Sequence, residues 1–272
     1  MSSVSGTVPG FVRSSWAAFI GGALIGVLGG LIGLGGAEFR LPLLIGLFGF
    51  VALEAIIVNK ATSLIVVASA LVFRSQAIPI ASVLAHGSII VTLLAGSLLG
   101  AWFGADLATR LKTHSLYRII AALLLGIAIV LLTTHNSVVS TEPSLLTGTV
   151  QTIAGVGAGF IIGVVAAFLG VAGGELLIPT LVLLFGVDIK LAGSLSLAVS
   201  LPTMIVSFAR YSRDRSFAVL GKHPRFVLVM ALGSIAGTFI GGLLLGLVPA
   251  NLIVPVLAAT LILSAVKLWR HR

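Results

Sequence analysis

No cysteine occurs among the 272 residues, which excludes disulfides and thiolate-held metal and says little else about compartment. Charge is almost as scarce. Charged residues make up 8% of the chain and acidic ones number seven, against 58% hydrophobic residues and a mean hydropathy of +1.24. Polar groups this few cannot cover a globular surface, so a soluble domain is excluded and the surrounding solvent is lipid. No HExxH pattern occurs and the five histidines are dispersed, so no metal site is expected. The glycine runs do not read as a dinucleotide fingerprint, because no strand precedes them. With no nucleophile at a persuasive spacing from a base and no cofactor pattern, neither an enzyme nor a cofactor is expected.

What the chain does have is apolar runs. They lie at 15–34, 39–50, 52–73, 79–104, 116–134, 150–170, 176–187, 189–209, 225–246 and 251–269. At about 1.5 Å rise per residue, runs near twenty residues match a hydrocarbon core of about 30 Å. The pattern predicts an all-α polytopic membrane protein. The runs at 39–50 and 176–187 are short enough to cross only half a bilayer. The apolar run from Trp16 to Leu34 follows Arg13 but lacks a small-residue cleavage site, so it reads as a retained membrane helix rather than a signal peptide.

The short runs are paired by an internal duplication. At a shift of 137 residues, Gly22, Gly26, Gly33, Gly36, Glu38, Pro42, Phe48 and Gly49 fall on Gly159, Gly163, Gly170, Gly173, Glu175, Pro179, Phe185 and Gly186. The register continues with His86, Gly96, Ser97, Gly100 and Gly104 on His223, Gly233, Ser234, Gly237 and Gly241. About a quarter of positions 20–104 match, against about a tenth expected from composition. The organisation read from this is a tail at 1–14, repeat 1 at 15–134, a connecting loop at 135–149 and repeat 2 at 150–272, with about five segments per repeat.

The net charge of +9 comes from a few short segments between apolar runs: Arg110, Lys112 and Arg118; Arg210, Arg213, Arg215, Lys222 and Arg225; Lys267, Arg270 and Arg272. Such segments are cytoplasmic loops rather than a nucleic-acid surface, which would need a soluble domain. The stretches 135–149 and 247–250 contain no lysine or arginine. With the basic loops inside, both termini are cytoplasmic and the two repeats are inverted, given five crossings each. Re-entrant short segments would give eight crossings instead of ten and weaken that orientation.

Each copy carries a glycine-rich break followed by glutamate and proline: Gly33-Leu34-Gly35-Gly36-Ala37-Glu38 before Pro42, and Gly170-Val171-Ala172-Gly173-Gly174-Glu175 before Pro179. Glycines permit unwound backbone, and a helix starting there aims free amides and its positive dipole end into the break, which suits an anion. Alternatively, glycines merely let helices approach, the reading given to Gly96, Gly100, Gly104, Gly233, Gly237 and Gly241. Glu38 and Glu175 each cap the new helix or carry a proton coupled to anion movement, and the roles can coexist. Arg40 and Lys60 map onto Leu177 and Leu197. Lys60, beside Asn59, Thr62 and Ser63, either meets a counter-charge from substrate or Glu38 or snorkels to the interface. Arg40 either contacts substrate or pairs with Glu38 or Glu54. Ser194, Ser196, Ser200 and Thr203 offer hydroxyls to a cavity or to helix packing. His86 and His223 read as interfacial residues.

The paired stretches Gly33 to Pro42 and Gly170 to Pro179, with Ala61-Thr62-Ser63-Leu64 and Ser194 to Leu201 after them, resemble the TauE/SafE family of membrane permeases, the sulfite and organosulfonate exporters. The resemblance extends over nearly the whole chain and implies export of sulfite or a related sulfonate or oxyanion. Residues and resemblance together predict a secondary transporter of the cell inner membrane. Its partners are a small inorganic or organic anion and the lipid bilayer, with no nucleic acid and no oligomeric state fixed by sequence. The expected substrate site comprises Gly35, Gly36, Ala37, Glu38, Arg40, Asn59, Lys60, Thr62, Ser63, Gly173, Gly174, Glu175, Ser194, Ser196 and Ser200, with Glu38 and Glu175 as proton carriers. An anion channel, or a permease for another small anion, is the alternative.

Overall fold

The computed structural model describes residues 14–32, 36–74, 79–134 and 147–244, with scattered positions between 259 and 269. The tail at 1–14, most of the connecting loop, Gly33 to Gly35 and most of the run at 251–269 lie outside the described residues. Those described are helical, with no strand among them. In chain order the helices are α1 (Ser15–Ile32), α2 (Ala37–Gly46), α3 (Ala52–Arg74), α4 (Ile80–Ala85), α5 (Gly87–Arg110) and α6 (Thr113–Thr134). They continue as α7 (Gly148–Leu169), α8 (Gly174–Phe185), α9 (Ile189–Tyr211), α10 (Ala218–Lys222) and α11 (Pro224–Leu244), with a 3-10 turn at Arg215–Phe217 before α10.

Five of these, within α3, α5, α7, α9 and α11, are long and apolar enough to cross a membrane, and α1, α6 and α8 contribute shorter apolar stretches. The chain is therefore a polytopic membrane protein. Lipid favours helices because each backbone amide finds its carbonyl within the same segment. Trp16, Leu99, Ile153, Phe239 and Leu243 are more than half exposed, as residues facing acyl chains are.

The apolar runs and the helices agree closely, with one instructive difference. The run at 79–104 is two helices, α4 and α5, separated at His86, and α5 continues to Arg110. The imidazole Nδ1 of His86 lies 2.9 Å from the Ser82 carbonyl. Its partner in the repeat, His223, likewise separates α10 from α11 and stands edge-on to Phe50, with ring centres 5.7 Å apart. Gly87 and Pro224 follow the two histidines, and each disfavours carrying a helix through from the preceding turn.

The two most extensive helix packings are α1 against α11 and α5 against α7. Both rest on glycine. A side chain at Gly22 would strike the backbone of Met230 and Ser234, and one at Gly26 that of Ser234 and Thr238. The same holds for Gly159 on Leu93 and Ser97, and for Gly163 on Ser97 and Ala101. Facing them, Gly233 and Gly237 of α11 are closely approached by Phe19 and Ala23, as Gly96 and Gly100 of α5 are by Val156 and Phe160. Every member of one set stands 137 residues from its counterpart. Lipid tails give helices no hydrophobic reason to associate, so close backbone approach supplies the dispersion energy instead.

Inside these pairs sit α2, α3, α8 and α9. A large core joins Leu44, Phe48, Ile56, Ile120, Leu124, Phe168 and Phe226, and a second joins Leu93, Leu177, Leu181, Leu195 and Val199. Phe226 makes aromatic contacts with Phe48 at 4.8 Å and Phe50 at 5.3 Å between ring centres. The short helices are thereby walled off from lipid by neighbours that carry most of the apolar surface.

Candidate functional site

Two helices begin inside the protein rather than at its surface. The residue preceding α2 is Gly36, with φ 68°, and the residue preceding α8 is Gly173, with φ 80°. Both are left-handed, where a Cβ would strain the chain. Helix α2 has ten residues and α8 twelve, about 15 Å and 18 Å at 1.5 Å per residue, or roughly half a hydrocarbon core. Glu38 and Glu175 are the second residues of these helices, and both are buried.

Pro42 and Pro179 are the sixth residues, in the second turn rather than the first. Lacking an N–H, each leaves the carbonyl four residues earlier without its usual helical donor. Those carbonyls belong to Glu38 and Glu175. Each break thus leaves amides at the helix start and a carbonyl of the same glutamate outside the regular helical ladder.

The charged residues buried among those described are Glu38, Arg40, Lys60 and Glu175. Isolated, each would cost several kcal/mol to bury. Arg40 spends Nη1 on Asn59 Oδ1 at 3.2 Å and Ser63 Oγ at 3.0 Å, and Nη2 on Ser234 Oγ at 3.1 Å. Its Nε has no hydrogen-bond partner among the described residues. It makes no salt bridge with Glu38 or Glu54, although the charges of Arg40 and Glu38 lie close enough to interact.

Lys60 neither snorkels nor pairs with a carboxylate. Fully buried, its ammonium donates to the carbonyls of Ala166 at 2.8 Å and Val171 at 3.0 Å. These are the end of α7 and the second break, where carbonyls have lost their helical donors. Asn59 donates to Leu169 O at 2.8 Å and to Ala37 O at 3.0 Å. The Tyr211 hydroxyl donates to Ala167 O at 2.9 Å and Ser200 to Ala172 O at 2.7 Å. The backbone from Ala166 to Ala172 is therefore held by side chains from α3 and α9. Placing positive charge at the C-terminal end of α7 also suits that helix's dipole.

The carboxyls of Glu38 and Glu175 interact with each other. Neither oxygen of Glu38, nor Oε2 of Glu175, makes a hydrogen bond to a described residue. Glu38 accordingly does not cap α2 through a described amide. One acidic residue from each break thus meets the other in the interior.

Of the residues expected from sequence, Gly36, Ala37, Glu38, Arg40, Asn59, Lys60, Thr62, Ser63, Gly173, Gly174, Glu175, Ser194, Ser196 and Ser200 are all buried. Gly35 lies outside the described residues. Thr62 and Ser196 donate back to carbonyls of their own helices, Val58 at 2.9 Å and Gly193 at 2.9 Å. Ser234 and Tyr211 join the cluster without having been singled out. Ser97, the repeat partner of Ser234, bonds Thr203 at 2.8 Å. A serine recurring at matched positions inside a glycine stripe was the available signal.

Residues 5–131 match the family model Sulfite exporter TauE/SafE. The chain is similar to that family of transporters over α1 to α6, which carry the first break, Arg40 and Lys60, and the resemblance read from sequence holds there. The matched stretch is just under half of the chain and ends before the second break. No curated protein and no solved structure matches. The similarity to TauE/SafE together with the five spans makes this a transmembrane permease by kinship, and the likeness is to transporters rather than enzymes.

Away from the breaks, Asp106 near the end of α5 binds Arg110 at 2.8 Å and also Arg210 of α9, whose Nε lies 2.9 Å from Oδ1. Arg210 additionally reaches Thr109 at 3.3 Å. Nearby, the guanidinium of Arg213 lies 5.2 Å from the centre of the Trp102 ring. This ionic knot ties α5 to α9 at the end of the protein that carries its basic loop.

Proposed function

We propose that this protein is a secondary transporter that exports a small sulfur oxyanion, sulfite or a related sulfonate, across the cytoplasmic membrane. The reading rests above all on one observation: two short helices start at left-handed glycines inside the protein, with Arg40, Lys60 and two glutamates buried around those starts. Amides at helix N-termini and a guanidinium attract an oxyanion, and the family similarity supplies the substrate class. Arg40 is the substrate-facing charge, because its Nε is unspent, whereas Lys60 is committed to two backbone carbonyls. Glu38 and Glu175 carry the coupled proton.

The site lies between two inverted repeats that rock to alternate access. The reciprocity of the helix contacts supports that arrangement. Glycines of α1 pack on α11 in the same way that glycines of α7 pack on α5, with 137 residues between matching positions. Such an exchange of first and fourth helices is what a pseudo-two-fold axis produces. Both termini are cytoplasmic, on the side of the loop holding Arg210, Arg213 and Arg215.

The test is binding of sulfite, thiosulfate, sulfate and small sulfonates to purified protein, with Arg40→Met alongside. Saturable binding of a sulfur oxyanion that is lost in Arg40→Met is the expected result. If none of the four classes binds, the reading is wrong. Counterflow of labelled substrate in proteoliposomes separates a carrier from an anion channel, which has no alternating state and gives none.

A further inference from the structure

We propose that Glu38 and Glu175 form one carboxyl pair holding a single exchangeable proton, and that a monovalent oxyanion binds while that proton is present. This rests on the transporter reading above and specifies how charge is handled at its site. The geometry behind it is the meeting of one buried carboxyl from each break, with both oxygens of Glu38 and Oε2 of Glu175 lacking any other described hydrogen-bond partner.

Two facing carboxylates repel strongly in a site without water, and one proton between them removes the repulsion while supplying the missing donor. The charged groups packed about the pair are Arg40 from α2 and Lys60 from α3, with the Tyr211 hydroxyl from α9 turned to the Ala167 carbonyl. With one proton, the pair carries a single negative charge against two cations. The buried set then has a net charge of +1, which a monovalent oxyanion neutralises. Without the proton the set is already neutral, and an entering anion would leave an uncompensated charge in the interior. The proton is therefore a condition of anion occupancy. The pair also draws one member from each repeat, so a movement separating the breaks must divide the pair and release the proton from its shared position.

Infrared spectroscopy of the full-length protein in lipid, with isotope-labelled glutamate, reads carboxyl protons directly and needs no substrate. At neutral pH the glutamic-acid carbonyl band should integrate to one carboxyl per chain. It should vanish in Glu38→Gln and equally in Glu175→Gln, because removing either partner frees the other to ionise. Two protonated carboxyls, none, or a band that survives in one single variant would each overturn the shared proton. Should a variant fail to fold, integration of the wild-type band decides between one, two and none by itself. Oxyanion binding by wild type is measured in the same preparation. A one-carboxyl band without binding overturns the transporter reading and the coupling but leaves the pair standing, whereas binding without the band overturns the pair alone.

Discussion

Lys60 on α3 donates its buried ammonium to the carbonyl of Val171, 111 residues away in the second glycine break. A cation in the first half of the chain thereby fixes the unwound backbone of the second half. Lys60→Met removes two charge-assisted bonds and leaves the Ala166 and Val171 carbonyls unpaired, at about 1–3 kcal/mol per group. The melting temperature in detergent should fall by several degrees, and by much more than for Glu54→Gln, whose carboxyl is half-buried at the start of α3. An unchanged melting temperature would show that these bonds do not hold the break.

Arg40 joins Asn59, Ser63 and Ser234 through its guanidinium. Arg40→Lys keeps the charge but cannot reach all three, since an ammonium is a compact point rather than a planar fork. Oxyanion affinity should drop about 10- to 100-fold, the equivalent of one or two charged hydrogen bonds. Titration of sulfite into the variant, with Ser234→Ala as a milder companion, measures this. Wild-type affinity in Arg40→Lys would remove Arg40 from the site.

Much of this was legible in the chain, for reasons that also explain what was not. The starts of α2 and α8 fall within two residues of the short apolar runs at 39–50 and 176–187, because glycine, glutamate and proline mark a helix start chemically. The break at His86 was visible only as a polar residue inside an apolar run. The partners of Lys60 were not readable at all: they are backbone carbonyls, which every residue has, so no side-chain pattern announces them. Arg40 and Ser234 stand 194 residues apart, and only the register of the duplication brings Ser234 into view. Mapping Arg40 and Lys60 onto leucines did expose the asymmetry, without showing that one holds backbone and the other holds side chains.

The glycine contacts should respond in matched pairs. Gly26→Ala and Gly163→Ala each place a methyl against the backbone of a facing helix, at Ser234 and Ser97 respectively. Overpacking of this kind costs about 1–3 kcal/mol. Thermal unfolding should show similar losses for both, while Gly157→Ala, with open space around it, should leave stability unchanged or slightly raise it through helix propensity.

A chain without cysteine makes its orientation simple to test. Ser212→Cys, at the exposed start of the basic loop, should react with an impermeant maleimide only from the cytoplasmic side. Thr147→Cys, exposed before α7, should react only from the opposite side. Labelling of both from one face would contradict the inverted arrangement.

Asp106 serves Arg110 and Arg210 together. Asp106→Asn and Arg210→Gln should each loosen α5 from α9, and the double variant should lose little more than either alone, because both remove the same link. Cross-linking yield between cysteines introduced on the two helices near this end reports the effect. Additive losses would mean that the two residues act separately.

The exchanged packing of first and fourth helices also bears on how the protein is made. Helix α1 emerges from the ribosome first, yet the surface that its glycines fit belongs to α11, synthesised about two hundred residues later. Through that interval α1 sits in the bilayer without its mate, and its bare backbone stripe is open to other small-residue helices. Assembly must wait for the last third of the polypeptide. A prematurely stopped chain would present that stripe permanently, which makes truncated products natural targets for membrane proteolysis.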